Sequence, residues 1–435
     1  MIRTIWTLTV LVGLAASVHA QDARGTTIAT LPDLTAAALA SDPRTRELPL
    51  LERQTDLRLR NLEVAWLPSL TVDGSAQFQS DSATSPFSGP AGNPAFSAPR
   101  ATFDASLAAS QRLFDRTIAA QSAVERARLA DEQARVRTAI YGVRQDVNAA
   151  FFAAAGLQQR AKVLAASIAE IEARVRETES RVREGAAIPA DAQILEATLV
   201  ERRQDADEIG SNLRAALARL ATLAGRQIGE SVELALPDPT ATLAAARQSA
   251  RPLRLRPEYA GFDAARARAA SQSDLVAAQA TPRVTAFARA GYGRPGLDFI
   301  STDFEAYALG GFRVQWNAWT WGATGRDREA LAVQQQIADA DEASFARMLA
   351  LAEDSEWPAI EHLERTLASD TRIIELRQAV ERSARVRLAE GVLTAADYVA
   401  RDTELLQATY RRAGHEVELA QARVRLATTL GIEVK

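Results

Sequence analysis

The chain has 435 residues, 51 Lys and Arg against 55 Asp and Glu, a formal net charge of -4 and no cysteine. So mild a charge balance gives nucleic acid no basic surface to bind. With no cysteine, neither a disulfide framework nor a lipid anchor on an N-terminal Cys can form, so packing alone must hold the fold.

The first twenty residues carry one positive charge at Arg3, an apolar run from Ile5 to Ala16 and small residues up to Ala20. This is the pattern of an export signal cleaved before Gln21. Beyond it no run approaches the roughly 18 to 20 apolar residues a membrane-spanning helix needs; the densest, Ala149 to Ala155, is far too short. Entry into a membrane would have to be as strands.

A short helix is expected over Asp33 to Ser41 and another between Pro43 and Pro68. The periodicity then changes. In LTVDGSAQF, Leu70, Val72, Gly74, Ala76 and Phe78 fall on one face and Thr71, Asp73, Ser75 and Gln77 on the other, the period of two that marks a strand. After a Ser, Pro and Gly-rich stretch from Asp81 to Pro99, alternation resumes with Phe103, Ala105, Leu107 and Ala109 opposite Thr102, Asp104, Ser106 and Ser110. Residues 69–113 therefore read as a hairpin with a long, solvated tip. From Asp115 to Arg183 there is no proline, and Ile140, Val143, Val147, Ala150, Ala154, Leu157, Ala161, Leu164, Ile168, Ile171 and Val175 step by three and four. That is a heptad seam on a rod on the order of 100 Å long. The turn EGAAIPAD, Glu184 to Asp191, leads to a returning helix over residues 188–225.

The same order then recurs: a short helix over Thr240 to Ala250, one between Pro257 and Pro282, a hairpin over 283–316, a long helix over 320–389, the turn EGVLTAAD and a returning helix over 394–430. The second hairpin alternates less cleanly, because Phe287 and Leu309 fall on the face that should be polar. Pro43 and Pro68 stand as far apart as Pro257 and Pro282, and Gly185 and Gly225 as far apart as Gly391 and Gly431. RLATLAG, ending at Gly225, is echoed by RLATTLG, ending at Gly431. The chain is internally duplicated, with the first copy over residues 21–230 and the second over 231–435. In each copy the two shorter helices end to end match the long one in length.

Gly185 and Gly391 give the backbone freedom to reverse between antiparallel helices. Pro189 suits a first helical turn, and Asp191 and Asp397 lie early in the returning helices, where the helix dipole favours a carboxylate. These roles need no further function. Four strands cannot close a barrel, and open edges are untenable in lipid, so the chain must assemble with copies of itself. A trimer gives twelve strands, with the helical columns forming a second cylinder and the glycine turns at its far rim.

In this arrangement the chain resembles the TolC-like outer membrane efflux factors. The resemblance spans Leu31 to Gly431 and rests on the helix ending at Asp42-Pro43, the strand entry after Pro68, the exits QRLFD and WNAWTWG, and the two glycine turns with Asp191 and Asp397. It implies an α+β membrane protein: long helical hairpins forming an α-barrel, and four strands per chain contributing to a trimeric twelve-strand β-barrel in the cell outer membrane. It implies a passive exit duct, not an enzyme, that takes substrate from a periplasmic adaptor and an inner-membrane transporter. By position Asp397 matches a carboxylate that rings the periplasmic aperture, with Asp191 its counterpart in the first copy. The second acid expected three residues later is absent, since Ala400 stands there, and Asp402 or Glu404 could supply it. The turns, with Glu184, Gly185, Glu390 and Gly391, are where an adaptor would dock.

GYGRPG, Gly291 to Gly296, has the glycines of a dinucleotide loop but leads into another strand, so it offers a pyrophosphate no helix N-terminus. His362 and His415 have no ligands at metal spacing and read as solvated helix positions, and no G-x-S-x-G elbow occurs. No cofactor is implied. Trp316, Trp319 and Trp321 are either core filling or a membrane-interface girdle, which is favoured for Trp316 and Trp319. Pro358 should kink the second long helix. The competing function is a periplasmic coiled-coil scaffold without a barrel.

Overall fold

The computed structural model describes residues 28–81, 99–249, 253–297, 301 and 303–434. The expected export signal and most of the tip of the first strand pair lie outside them.

Strand β1 (Ile28–Thr30) opens the described chain and α1 (Leu31–Ser41) follows, capped by Thr30, whose hydroxyl accepts from the Asp33 amide at 3.3 Å. A 3-10 turn at Pro43–Arg46 leads to α2 (Glu47–Val64), then β2 (Ser69–Phe78) and β3 (Ala101–Phe114). The long helix α3 (Arg116–Arg183) starts on Asp115, whose carboxylate accepts from the Thr117 amide at 2.9 Å. The returning helix α4 is Pro189–Ala224. Strand β4 (Glu233–Ala235) precedes α5 (Thr240–Arg247), α6 (Pro257–Gln279), β5 (Arg283–Arg294), β6 (Glu305–Gln315), α7 (Ala323–Ala389) and α8 (Ala395–Leu430). The order short helix, helix, two strands, long helix, returning helix thus occurs twice.

Helix α7 begins later than the expected residue 320 because Trp321 and Gly322 adopt left-handed backbone, φ 54 and 75, which cannot continue a right-handed helix. It runs unbroken through Pro358. Beside that proline Trp357 lies under the Arg247 guanidinium, 4.6 Å from ring centre to Cζ, and packs with Leu243, Ile360 and Leu419, so α5 docks where the helix lacks an amide donor.

The heptad seam of α3 is buried or half-buried along its length, with Val147, Ala154, Leu164 and Ile171 fully inside. Its middle forms one core with α1, the end of α4, and Val417, Ala420 and Val424 of α8. Toward the turns, Ile171, Val175, Leu195, Leu199, Ala384, Leu388 and Tyr398 form a second core that joins the α3/α4 hairpin to α7/α8. Strands β1 and β4 pair in parallel and cover the first core, bringing Ile28 opposite Glu233.

Candidate functional site

The four long strands form one antiparallel sheet in the order β2-β3-β5-β6. The register places Val72 opposite Leu107 and Leu107 opposite Ala290, then Ala290 opposite Ala308, so one face gathers the alternating apolar residues of all four strands, with Phe287 and Leu309 on the other. That face is open: Val72 is 83% exposed, Phe312 74% and Val314 67%. The polar face is the more covered one, with Ser106 only 5% exposed. On it Arg289 donates to Ser106 Oγ at 2.9 Å and to Asp104 at 2.7 Å, and the Tyr307 hydroxyl donates to Asp104. Gly291 makes this possible, since a Cβ there would stand 2.5 Å from the Tyr307 ring. Phe287 lies on this polar face, as the alternation required, packed beside Gly311 with the Arg313 guanidinium 5.3 Å from its ring centre. A sheet in water turns its apolar side inward; this one does the reverse, which is the polarity of a strand set with lipid outside.

At the helical end of the sheet the indole of Trp316 donates to the Ala280 carbonyl at 2.9 Å, and Gln111 donates to the Trp66 carbonyl at 3.3 Å, the corresponding contact of the first copy. Trp316, Trp319 and Trp321 are all exposed, with Trp319 and Trp321 edge-to-face at 5.8 Å. Trp66, which sequence alternation did not single out, is 39% exposed at the same level.

At the opposite end the two turns meet. Gly185 and Gly391 have φ of 74 and 72, the left-handed conformation that reverses each hairpin. Glu184 and Glu390 stand exposed beside them as the C-caps of α3 and α7. Asp191 reaches across and accepts from the Ala395 amide, at the start of α8, at 2.9 Å. Arg181 donates to the Leu388 carbonyl, at the end of α7, at 2.8 Å and to the Ala186 carbonyl at 3.3 Å. An anion thus meets a helix N-terminus, where the Ala395 amide has no partner within its helix, and a cation a helix C-terminus, where the Leu388 carbonyl also accepts from the Gly391 amide at 3.1 Å. Asp397 is exposed, and its carboxylate accepts from the hydroxyl of its own N-cap, Thr394, at 2.8 Å.

Residues 32–226 match the family model described as outer membrane efflux protein. The resemblance to the outer membrane efflux proteins is borne out. The family's description carries the location, the outer membrane, and the general role, efflux. No curated protein matches the chain. Among solved structures, the outer membrane protein VceC of Vibrio cholerae aligns with a TM-score of 0.65 at 16% identity, covering 93% of this chain and 97% of that one. The Neisseria gonorrhoeae MtrE outer membrane channel, in its open state, aligns at 0.64 and 18% identity over 92% and 89%. The Campylobacter jejuni CmeC outer membrane channel aligns at 0.62 and 12% identity over 92% and 85%. At these identities the likeness is one of fold, and it extends over both halves of the chain.

Within this fold, one further cluster lies between the hairpins. Arg202 of α4, 4% exposed, donates to Asp402 of α8 and to Ser167 of α3. Asp402 is itself 6% exposed, so it faces the seam between the hairpins, away from open solvent. Burial pushes its carboxyl upward, and the Arg202 guanidinium pulls it back. Next to it Glu381 is buried beside the Tyr398 hydroxyl at 3.4 Å; burial raises its carboxyl too, Arg385 opposes that, and Glu170 and Asp402 add to it. Glu404 pairs instead with Arg377 and, at 3.2 Å, with Arg401 on the outside of the same helices. His415, expected to be solvated, is half-buried, with its Nδ1 2.6 Å from buried Asp370 in the α7–α8 seam. His362 is exposed. Among the described residues no cluster of His, Cys, Asp and Glu could hold a metal, and no helix is long and apolar enough to cross a membrane.

Arg181 and Arg202 escaped the sequence reading because each is one arginine among many on an Arg and Glu-rich helix. The signal that could have found Arg181 is its counterpart Arg387, at the same distance before the second turn glycine.

Proposed function

We propose that this chain is one third of a trimeric outer-membrane exit duct, in which four strands from each of three copies close a twelve-strand barrel and the helical hairpins form a tunnel into the periplasm. The observation that carries this is the inverted sheet: an open face of Val72, Phe312 and Val314 against a hydrogen-bonded polar face around Asp104 and Arg289. A scaffold in water has no use for such a face. Substrate passes without chemistry, delivered by an inner-membrane transporter through a periplasmic adaptor that docks at the turns around Glu184, Gly185, Glu390 and Gly391. Asp397, exposed at the rim, contributes a carboxylate to the aperture, with Glu404 further along the same helix and Asp191 and Asp402 holding the hairpins that frame it. Trp316 and Trp319 mark the periplasmic membrane interface. The test is the native mass of protein extracted in detergent from separated outer membranes, followed by conductance in a planar bilayer. A conducting trimer is expected; a soluble monomer would return the chain to the scaffold reading.

A further inference from the structure

The polar face of the four-stranded sheet is unevenly charged. Its acids, Asp73, Asp104 and Glu305, lie on the half remote from the helices, where Asp104 accepts from Arg289 and from the Tyr307 hydroxyl. At the helical end the charged residues of the same face are arginines alone. The register puts Arg112 of β3 opposite Thr285 of β5, and Thr285 opposite Arg313 of β6, so two arginines flank one threonine across three neighbouring strands. Arg283, two positions before Thr285, stands on the same face of β5.

Little within the chain neutralises them. Arg112 lies 3.5 Å from Asp115, but that carboxylate is buried and already accepts from the amide and the hydroxyl of Thr117. Arg283 has no ion pair among the described residues, and Arg313 rests on the Phe287 ring, 5.3 Å from its centre. Phe287, which interrupts the polar alternation, thus has a use on this face: it holds a guanidinium in place. Arg112 and Asp104 are eight positions apart on β3, about 27 Å at roughly 3.4 Å per residue, or some three Debye lengths at physiological salt. The remote acids are too far away to cancel the arginines. Nor does closure of a barrel reverse the balance, because β2, the strand left to meet β6 of another copy, carries Asp73 as its only charged residue.

We propose that Arg112, Arg283 and Arg313 form a basic collar where the helical tunnel enters the barrel, three arginines from each copy, and that the collar binds and passes anionic solutes bearing carboxylate, sulfonate or phosphate groups. This collar exists only in the duct reading, to which it adds a substrate class. Guanidinium groups match such oxyanions with paired donors, and a ring of them inside a low-dielectric wall concentrates anions in the lumen. Its sign is opposite to that of the carboxylates at the turns, so the two ends of the duct select separately.

The test uses trimeric protein in planar bilayers, with pyrenetetrasulfonate, a rigid anion with four sulfonates, as the probe. The probe is expected to block the unsubstituted channel, and the block to weaken tenfold or more when Arg112, Arg283 and Arg313 are all changed to Gln. Changing the three to Lys keeps the charge and should keep most of the block. Under a tenfold KCl gradient the Gln variant should also shift its reversal potential toward that of a cation-selective pore, while Asp397→Ala, at the far end, should leave the block in place. Should the triple Gln variant not assemble, Arg283→Gln and Arg313→Gln singly are each expected to weaken the block several-fold. A conducting trimer that the probe does not block, or a block unchanged without the arginines, overturns the collar. Absence of a conducting trimer in the unsubstituted protein overturns the duct reading itself, a distinct outcome.

Discussion

A buried ion pair is a poor source of stability but costly to break, and Arg202 with Asp402 puts both halves of that rule at the junction of the two hairpins. Arg202→Ala leaves a buried carboxylate unpaired and is expected to cost about 3–5 kcal/mol, read as a lower unfolding midpoint in detergent. Arg202→Met with Asp402→Leu should lose much less, because two apolar side chains can fill the same seam. A smaller loss for the single variant than for the double would remove the pair from its structural role. Glu381 gives a pH dependence of defined sign. Its carboxyl is raised in the fold by burial, so between the ordinary carboxyl range and its raised value the folded protein binds more protons than the unfolded chain. Stability contributed by this group is therefore present at the acid end of that window and lost as pH rises through the raised value. Thermal unfolding followed across mildly acidic to neutral pH should show that slope, and Glu381→Gln, which keeps the shape without the charge, should flatten it. A slope unchanged in Glu381→Gln would assign the effect to other groups.

Elements were legible where one periodicity held over many residues. The absence of proline from Asp115 to Arg183 and the steps of three and four predicted α3, and the strict alternation of Leu70 to Phe78 predicted β2, because a strand with one apolar and one polar side must write its pattern openly. Direct substitution checks that sidedness. Val72→Lys on the open face should cost on the order of 2–4 kcal/mol if it lies near the bilayer midplane. Thr71→Lys, one residue along and on the polar face, should assemble normally. Trimer yield in outer membranes reads the difference, and equal yields would mean that the Val72 face does not meet lipid. What the pattern could not announce was short or distant. Strands β1 and β4 are three residues each and pair across two hundred positions, too brief to carry a period. The Arg202–Asp402 pair lies on helices whose solvent faces are also Arg and Asp, so only their packing tells the buried charges from the exposed ones. Trp321 and Gly322 hid the start of α7, since left-handed backbone at a tryptophan has no compositional mark.

At the scale of the whole molecule, the duct proposed above makes the turns a rim where single side chains control a quantity that can be measured directly. Asp397 and Asp191 occupy equivalent positions in the two turns, and the proposed duct gives Asp397 the larger part at its aperture, but they act on different terms. Asp397→Ala removes an exposed carboxylate from the rim and breaks only the cap with Thr394. The expected result is a modest rise in conductance and a weaker preference for cations, both fading at high salt as charge is screened within a Debye length of about 8–10 Å. Asp191→Ala removes the acceptor that the Ala395 amide needs and with it one of the ties between the two turns. Its conductance should rise further and stay raised at high salt, because the change is one of geometry and not of potential. Asp191→Asn keeps an acceptor oxygen and should restore most of the resting state, which separates the hydrogen bond from the charge. Current–voltage curves of the three variants at low and high salt decide the matter: a salt-insensitive rise in Asp191→Ala alone assigns that residue to holding the rim and Asp397 to lining it, whereas unchanged conductance in all three would move the aperture away from the turns.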